Sequence, residues 1–346
     1  MNRNDPTYVS ACMDAPEGMK TVFGDPGEDA SGYVHDEVYC VRDGREMRLQ
    51  ILLPRYTGEL MTREAVKLGA PNVLPFEKAP NPLYPLIVFI QGSAWNRQDL
   101  YKAIPRMSRF VRKGYAVACV EYRESACSIW PAQLVDVKTA IRYIKANADL
   151  FGIDKNRVAI MGTSSGGHLS QMTALTMGFK EFDDGLYPEE SDTVKCCVDL
   201  YGPSDLSCIN KAPRAKFFNI IPIEISAEGM LMGGVDLEKH PDIAAKASPV
   251  CFVDKDRDYP PFLIMHGDED GMVPFDQSRR IYEKLRDNGK RAELYKVLGA
   301  GHGLEFYSDD VMEIIFMFLK NNLYTQEKCH IIPGMLHIKL FRGFFL

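Results

Sequence analysis

From residue 84 onward the chain alternates short β-rich apolar runs with stretches of helical spacing, and this alternation limits the folds open to it. The runs are LIVFI at 86, YAVACV at 115, RVAIM at 157, KCCVDL at 195, FLIM at 262 and AELYKV at 292. Uninterrupted apolar runs, unlike runs with apolar residues at every second position, belong to strands covered on both faces. Helices between the runs can supply that cover, so the pattern predicts an α/β chain built on a mostly parallel central sheet with helices on both faces. The clearest helix is PAQLVDVKTAIRYIKANAD, where Leu134, Val137, Ile141, Ile144 and Ala148 recur at three- and four-residue steps behind a helix-starting Pro131.

Upstream, VHDEVYCV and MRLQILL flank an Asp43-Gly44 turn signal, with Met47, Leu49 and Ile51 alternating with Arg48 and Gln50. That reads as an antiparallel hairpin over 34–53, suited to a sheet edge. The proline-bearing segment 56–82 is expected to be a surface excursion without chemistry. The connection from about 204 to 248 is too long for a simple crossover, and its apolar pieces FFNIIPIEI and GMLMGG suggest a lid insertion. The expected organisation is an extension over 1–33, one domain over 34–323 and a tail of open role over 324–346.

At 346 residues, 46% hydrophobic and 25% charged, the chain can bury the core of one large domain with insertions. Its net charge of -6 is spread out, with no long run of lysine and arginine, so nucleic acid is not an expected partner. An uncharged small molecule is. The first twenty residues hold no apolar stretch fit for a signal peptide, and the apolar run 314–319 is too short to span a bilayer, so no membrane association and a cytoplasmic location are expected. Nine cysteines, with no Cys-x-x-Cys pair and with Cys119, Cys196 and Cys197 in apolar runs, read as buried reduced thiols. No His-Glu-x-x-His or paired carboxylate cluster suggests a metal.

Chemistry concentrates in IMGTSSGGHL, 160–169, where Ser164 sits between Gly162 and Gly166. Gly-x-Ser-x-Gly arises by chance in roughly one such chain in ten, so its setting must decide. Here RVAIM leads straight into the turn and a helical stretch follows, the strand, tight turn and helix that expose a nucleophile above a sheet edge. A serine hydroxyl needs a base to take its proton. His302 in GAGHGLEF lies on a glycine-flanked loop after the last strand-like run, where an imidazole could reach the sheet's end. His266 closes a strand and His168 lies inside the helix after Ser164, both better suited to packing, while His35, His240, His330 and His337 lie in the hairpin, insertion or tail. The base in turn needs an acid, and IMHGDEDGMVP offers Asp268, Glu269 and Asp270. The residues alone leave these three open.

The order Ser, Asp, His, each at a strand end, resembles the α/β-hydrolase superfamily over about 84–323, in the branch of hormone-sensitive-lipase-like and bacterial acetyl and feruloyl esterases. That branch carries His-Gly-x-x-Asp-x-x-Val-Pro, matched by His266, Gly267, Asp270, Val273 and Pro274, and the resemblance therefore implies Asp270 as the acid, with Asp268 supporting the turn. QGSAW, 91–95, stands where the branch has His-Gly-Gly-Gly-Trp, keeping Gly92 and Trp95. The resemblance implies an oxyanion hole from backbone N–H groups of Ser165 and of Ser93 or Ala94, a tighter acyl site where glycines are replaced, and Trp95 as one wall of it, the alternative for Trp95 being an ordinary core residue. In VEYRES, Tyr122 and Arg123 resemble a pair that orders loops near the site. The function so implied is a cofactor-free serine carboxylesterase acting on short-chain acyl esters, acetyl or feruloyl esters of carbohydrates among them. Rival readings are a prolyl-oligopeptidase-like peptidase and a non-catalytic ligand-binding protein on the same fold, and self-association to a homo-oligomer is left open.

Overall fold

The computed structural model describes residues 32–55, 60, 63, 67, 83–209 and 222–324. The N-terminal extension before 32, nearly all of the excursion over 56–82, the part of the insertion over 210–221 and the tail after 324 lie outside the described residues.

Eight strands form one sheet: β1 (Gly32–Arg42), β2 (Arg45–Leu53), β3 (Tyr84–Ile90), β4 (Ala116–Val120), β5 (Ile153–Thr163), β6 (Cys196–Leu200), β7 (Phe262–Gly267) and β8 (Ala292–Val297). Their spatial order is β1-β2-β4-β3-β5-β6-β7-β8. The hairpin pairs β1 with β2 antiparallel, β2 pairs antiparallel with β4, and every later pairing is parallel. Asp43 and Gly44 both take positive φ, 49° and 79°, which matches a two-residue turn to the right-handed twist of the strands it joins. Five of the six apolar runs thus became inner strands, and AELYKV became the edge strand β8, none of whose residues is fully buried. Successive residues of β3 show why: Leu86, Val88 and Ile90 feed one core cluster, and Ile87 and Phe89 feed the other.

Each face is covered by helices. One layer holds α2 (Ala132–Ala146), α4 (Ser165–Leu175) and α7 (Phe275–Asp287), with Leu134, Val137, Leu169 and Ile281 in the first cluster. The other holds α1 (Ile104–Val111) and α8 (Asp309–Leu323), with Met107, Phe110, Ile315 and Leu319 in the second. The expected amphipathic helix begins directly after Pro131 and ends at Ala146 with Asn147 as its cap, so Ala148 starts the short α3 (Ala148–Phe151), closed by Gly152 in the left-handed region at φ 68°.

The described part of the insertion contains α5 (Ala227–Leu231) and α6 (Pro241–Ala245). Leu206, Leu231, Leu237, Ala244 and Ala247 are buried in the first core cluster, so these segments are packed structure on one flank of the sheet. Among the described residues no helix is long and apolar enough to cross a membrane. Cys119, Cys196 and Cys197 are buried free thiols within strands.

Candidate active site

The central strand β5 ends at Thr163 and α4 begins at Ser165, which leaves Ser164 alone to turn the chain. It does so at φ 53°, ψ -125°, a conformation a residue with a Cβ holds only when its surroundings enforce it. They do. Its N–H donates to the Leu200 carbonyl at 2.9 Å and its carbonyl accepts from His168 N–H at 3.0 Å. The flanking glycines are demanded by close approach: a Cβ on Gly162 would lie 2.1 Å from the Gly166 carbonyl oxygen, and one on Gly166 would lie 2.0 Å from that of Ile90. Strand end, helix start and neighbouring strand are in backbone contact, and the serine hydroxyl is what remains outside.

Three side chains from separate strand ends converge here. His302 Nε2 lies 2.9 Å from Ser164 Oγ, and His302 Nδ1 lies 2.7 Å from Asp270 Oδ2. The Asp270 carboxylate is buried, and its Oδ1 accepts backbone N–H groups of Met272 at 2.8 Å and Val273 at 3.0 Å. Burial by itself would raise its pKa, but hydrogen bonds from His266 and His302 outweigh that and hold the carboxyl well below its usual range. It is therefore an anion, suited to fixing Nδ1–H on the imidazole and leaving Nε2 to take a proton from Ser164. Asp268 instead accepts the Gly299 N–H at 2.7 Å, a turn contact, while Glu269 is exposed.

His266 is fully buried, with Nδ1 at 2.7 Å from Ser278 Oγ and Nε2 at 2.9 Å from the Val273 carbonyl and 3.3 Å from Asp270 Oδ2. It supports the acid from behind. In front, the Tyr201 ring lies 4.5 Å from the His302 ring, centroid to centroid, and restricts the imidazole's swing.

The loop after β3 faces the start of α4. Gly92 N–H donates to Thr163 Oγ1 at 3.0 Å and Ser93 N–H to Ser165 Oγ at 2.9 Å, so the Ser93 donor is already engaged. Ala94, at φ 53°, lines the cavity above Ser164, and its N–H has no acceptor among the described residues. The Ser165 N–H, in the first turn of α4, is likewise unengaged, as first-turn donors are in any helix. Around them Tyr122 acts as a hub, its hydroxyl 2.9 Å from Ser93 Oγ, 3.1 Å from the Gln91 carbonyl and 3.3 Å from Ser165 Oγ. Its neighbour Arg123 forks onto the buried Asp136 through Nε at 2.8 Å and Nη2 at 2.9 Å.

Trp95 does not face the substrate space. Its side chain is 2% exposed, its indole N–H donates to His168 Nδ1 at 3.2 Å, and it is absent from the cavity wall, so the expectation of a substrate-facing tryptophan is corrected to a core residue. Ala94 and Trp95 both take positive φ, 53° and 54°, and this turns the ring back into the protein.

Ser164 and His302 open onto a cavity of about 620 Å³ whose walls include Tyr201, Met272, Leu304 and Tyr307, together with Lys102 and Arg106. None of these six was singled out in the sequence. Tyr201 could have been, as the residue that follows an inner strand at the sheet's carboxyl edge; the others sit in segments with no local signature. No described residue of the 204–248 insertion lines this cavity, so its described part is no lid over the site. Among the described residues no group of three or more His, Cys, Asp or Glu is placed to hold a metal ion.

A mostly parallel sheet with a serine on a strained strand-to-helix turn, met by a histidine and an acid from later strand ends, defines an α/β-hydrolase. The particular family follows from comparison. The profile of the BD-FAE family matches residues 74–285, and the chain belongs to that family. It is 34% identical over 229 residues to Esterase LipC of Mycobacterium tuberculosis, covering 65% of this chain and 54% of that one. It is 32% identical over 216 residues to the probable carboxylic ester hydrolase LipM of the same organism, covering 62% of this chain and 48% of that one. The chain thus spans about half the length of these relatives. A solved structure described as a truncated form of a carbohydrate esterase from gut microbiota superposes with a TM-score of 0.70 at 29% identity, covering 85% of this chain and 97% of that one.

Proposed function

We propose that the protein is a serine carboxylesterase that hydrolyses short-chain acyl esters through an acyl-enzyme. The observation that carries this reading is the hydrogen-bonded line from Ser164 Oγ through His302 to Asp270, at 2.9 Å and 2.7 Å. Ser164 Oγ attacks the ester carbonyl carbon while its proton passes to His302 Nε2. The carbonyl oxygen takes up negative charge against the N–H groups of Ala94 and Ser165, with the N-terminus of α4 adding its positive dipole end. Collapse breaks the acyl carbon to alkoxy oxygen bond, and the leaving alcohol takes the proton from His302. Water then attacks the acyl-serine, gives one proton to His302, and releases the carboxylic acid as that proton returns to Ser164. Asp270 stays ionised throughout and stabilises the imidazolium.

The side chains of Ser93 and Ala94, where the resemblance has glycines, favour a small acyl group such as acetyl, and the similarity to a carbohydrate esterase favours a sugar as the alcohol, esterified with an acetyl or a feruloyl group. The buried free thiols of Cys119, Cys196 and Cys197 suit a reducing, cytoplasmic setting.

A fluorophosphonate probe tests the core of the reading. It should label Ser164 in folded protein, as mapped by mass spectrometry of the labelled peptide, and should leave Ser164→Ala unlabelled. Folded protein that resists the probe at Ser164 would favour a binding protein on the same fold.

A further inference from the structure

The cavity above Ser164 has an electrostatic character that the whole chain does not share. The chain carries a formal net charge of -6, yet no aspartate or glutamate lines this cavity, while Lys102 and Arg106 do. Neither cation has a carboxylate partner among the described residues. Their surroundings show that this is specific: Arg109, one turn further along α1, is ion-paired to Asp309 at 2.5 Å. Arg106 is half-buried, and its guanidinium lies over the Tyr307 ring with the carbon 5.0 Å from the ring centroid. The same tyrosine lines the cavity.

From this we infer that the site selects esters bearing an anionic group, a carboxylate or a group of like charge, which Lys102 and Arg106 hold while Ser164 attacks the ester carbon. The inference rests on the esterase reading above and names its substrate class. A planar guanidinium held against an aromatic ring loses little freedom when it takes a carboxylate in a two-pronged contact, and Lys102 supplies a second, mobile point charge. No acid is in the walls themselves, although Glu305 stands exposed beside Gly303 and Asp270 lies behind His302, so Lys102 and Arg106 are the charges an entering anion meets directly, and low-dielectric walls concentrate their field on the substrate. The sequence by itself suggested an uncharged ligand because its charge is spread out, with no long run of lysine and arginine. The cavity reverses this locally.

The charge can sit on the alcohol side or the acyl side of the ester, and paired substrates separate the two. On the alcohol side, 3-acetoxybenzoate is compared with phenyl acetate; on the acyl side, monophenyl adipate is compared with phenyl hexanoate. The full chain should prefer the charged member in at least one pair by roughly tenfold or more in kcat/KM, and the preference should shrink as salt rises. Lys102→Glu and Arg106→Gln should each reduce the charged-to-neutral ratio, and Arg106→Lys should restore part of it. Because Arg106 packs on Tyr307, its variants are checked by thermal melting, and Lys102→Glu, at an exposed position, carries the test if they unfold. Binding of 3-acetoxybenzoate and phenyl acetate to Ser164→Ala protein, followed by saturation-transfer NMR, reads the same preference without turnover. Hydrolysis of both neutral esters with no charged-member preference in either pair, or a preference that Lys102→Glu leaves unchanged, overturns the anionic selection and spares the esterase reading. Failure of every ester to turn over, with anion preference still visible in binding, overturns the esterase reading and supports the anion site.

Discussion

Trp95 donates its indole N–H to Nδ1 of His168 at 3.2 Å, and the opposite nitrogen of the same ring lies 2.7 Å from the Ala247 carbonyl. One buried imidazole thus ties the loop after β3 to the start of the helix behind Ser164 and to the insertion. To accept from Trp95 and donate to Ala247 it must be neutral.

Burial drives the His168 pKa down from its ordinary 6.5 to about 4, the bond to Ala247 opposing that only in part. The unfolded chain therefore binds a proton between these values that the folded chain refuses. The associated stability is fully present above about pH 6.5 and is lost on acidification toward pH 4, by an amount on the order of 3 kcal/mol. Urea unfolding at pH 7 and pH 5 should show wild type losing more stability than His168→Gln. Equal losses would mean that the folded protein carries His168 charged.

Asp270 titrates in the opposite sense. Its folded pKa is depressed below the ordinary 3.8, so it contributes stability above that value and loses it only as pH falls toward the folded pKa. Asp270→Asn keeps the shape but offers an amide where an anion held Nδ1–H. Turnover should fall by roughly 10³- to 10⁴-fold with a much smaller change in KM. A loss below tenfold would show that another acid, with Asp268 the nearest candidate in sequence, orients His302.

Gly166 and Ala94 make contrasting substitutions. Gly166→Ala would place a methyl 2.0 Å from the Ile90 carbonyl oxygen, and neither backbone can yield without shifting β3 or the start of α4. It should cost about 3 kcal/mol or more and abolish activity. Ala94→Gly relieves a positive φ of 53° while adding freedom to the unfolded chain, so stability should change by less than about 1 kcal/mol and activity should persist. Thermal melts with initial rates on an acetyl ester check both.

Removing the Tyr122 hydroxyl should disturb the oxyanion donors without touching substrate. Tyr122→Phe leaves Ser93 Oγ, Ser165 Oγ and the Gln91 carbonyl without their common partner. kcat should drop about tenfold while KM stays within a factor of about two, the signature of a contact that matters in the transition state. A KM effect alone would place Tyr122 in substrate binding instead.

Contiguous residues determined much of this protein. The apolar runs at 86, 115, 157, 195, 262 and 292 all became strands, Asp43-Gly44 became the hairpin turn, and Pro131 set the start of α2. Gly-x-Ser-x-Gly after RVAIM marked the turn at Ser164 for the same reason: strand, turn and helix preferences act over a few neighbouring residues, and the chain states them directly. Matters of convergence were decided elsewhere. Asp268, Glu269 and Asp270 are alike in composition and share one loop, and only the direction of each carboxylate sends Asp270 to His302 and Asp268 to Gly299. Trp95 lies in the core because its partner His168 is 73 positions away on another element, and Ser93 loses its N–H to Ser165 across a similar separation. Lys102 and Arg106 come to line the same cavity as Ser164 only once α1 is packed on the sheet. Which side chains share a space depends on strand register, helix packing and backbone angles between distant segments, and those exist only when the whole chain has closed.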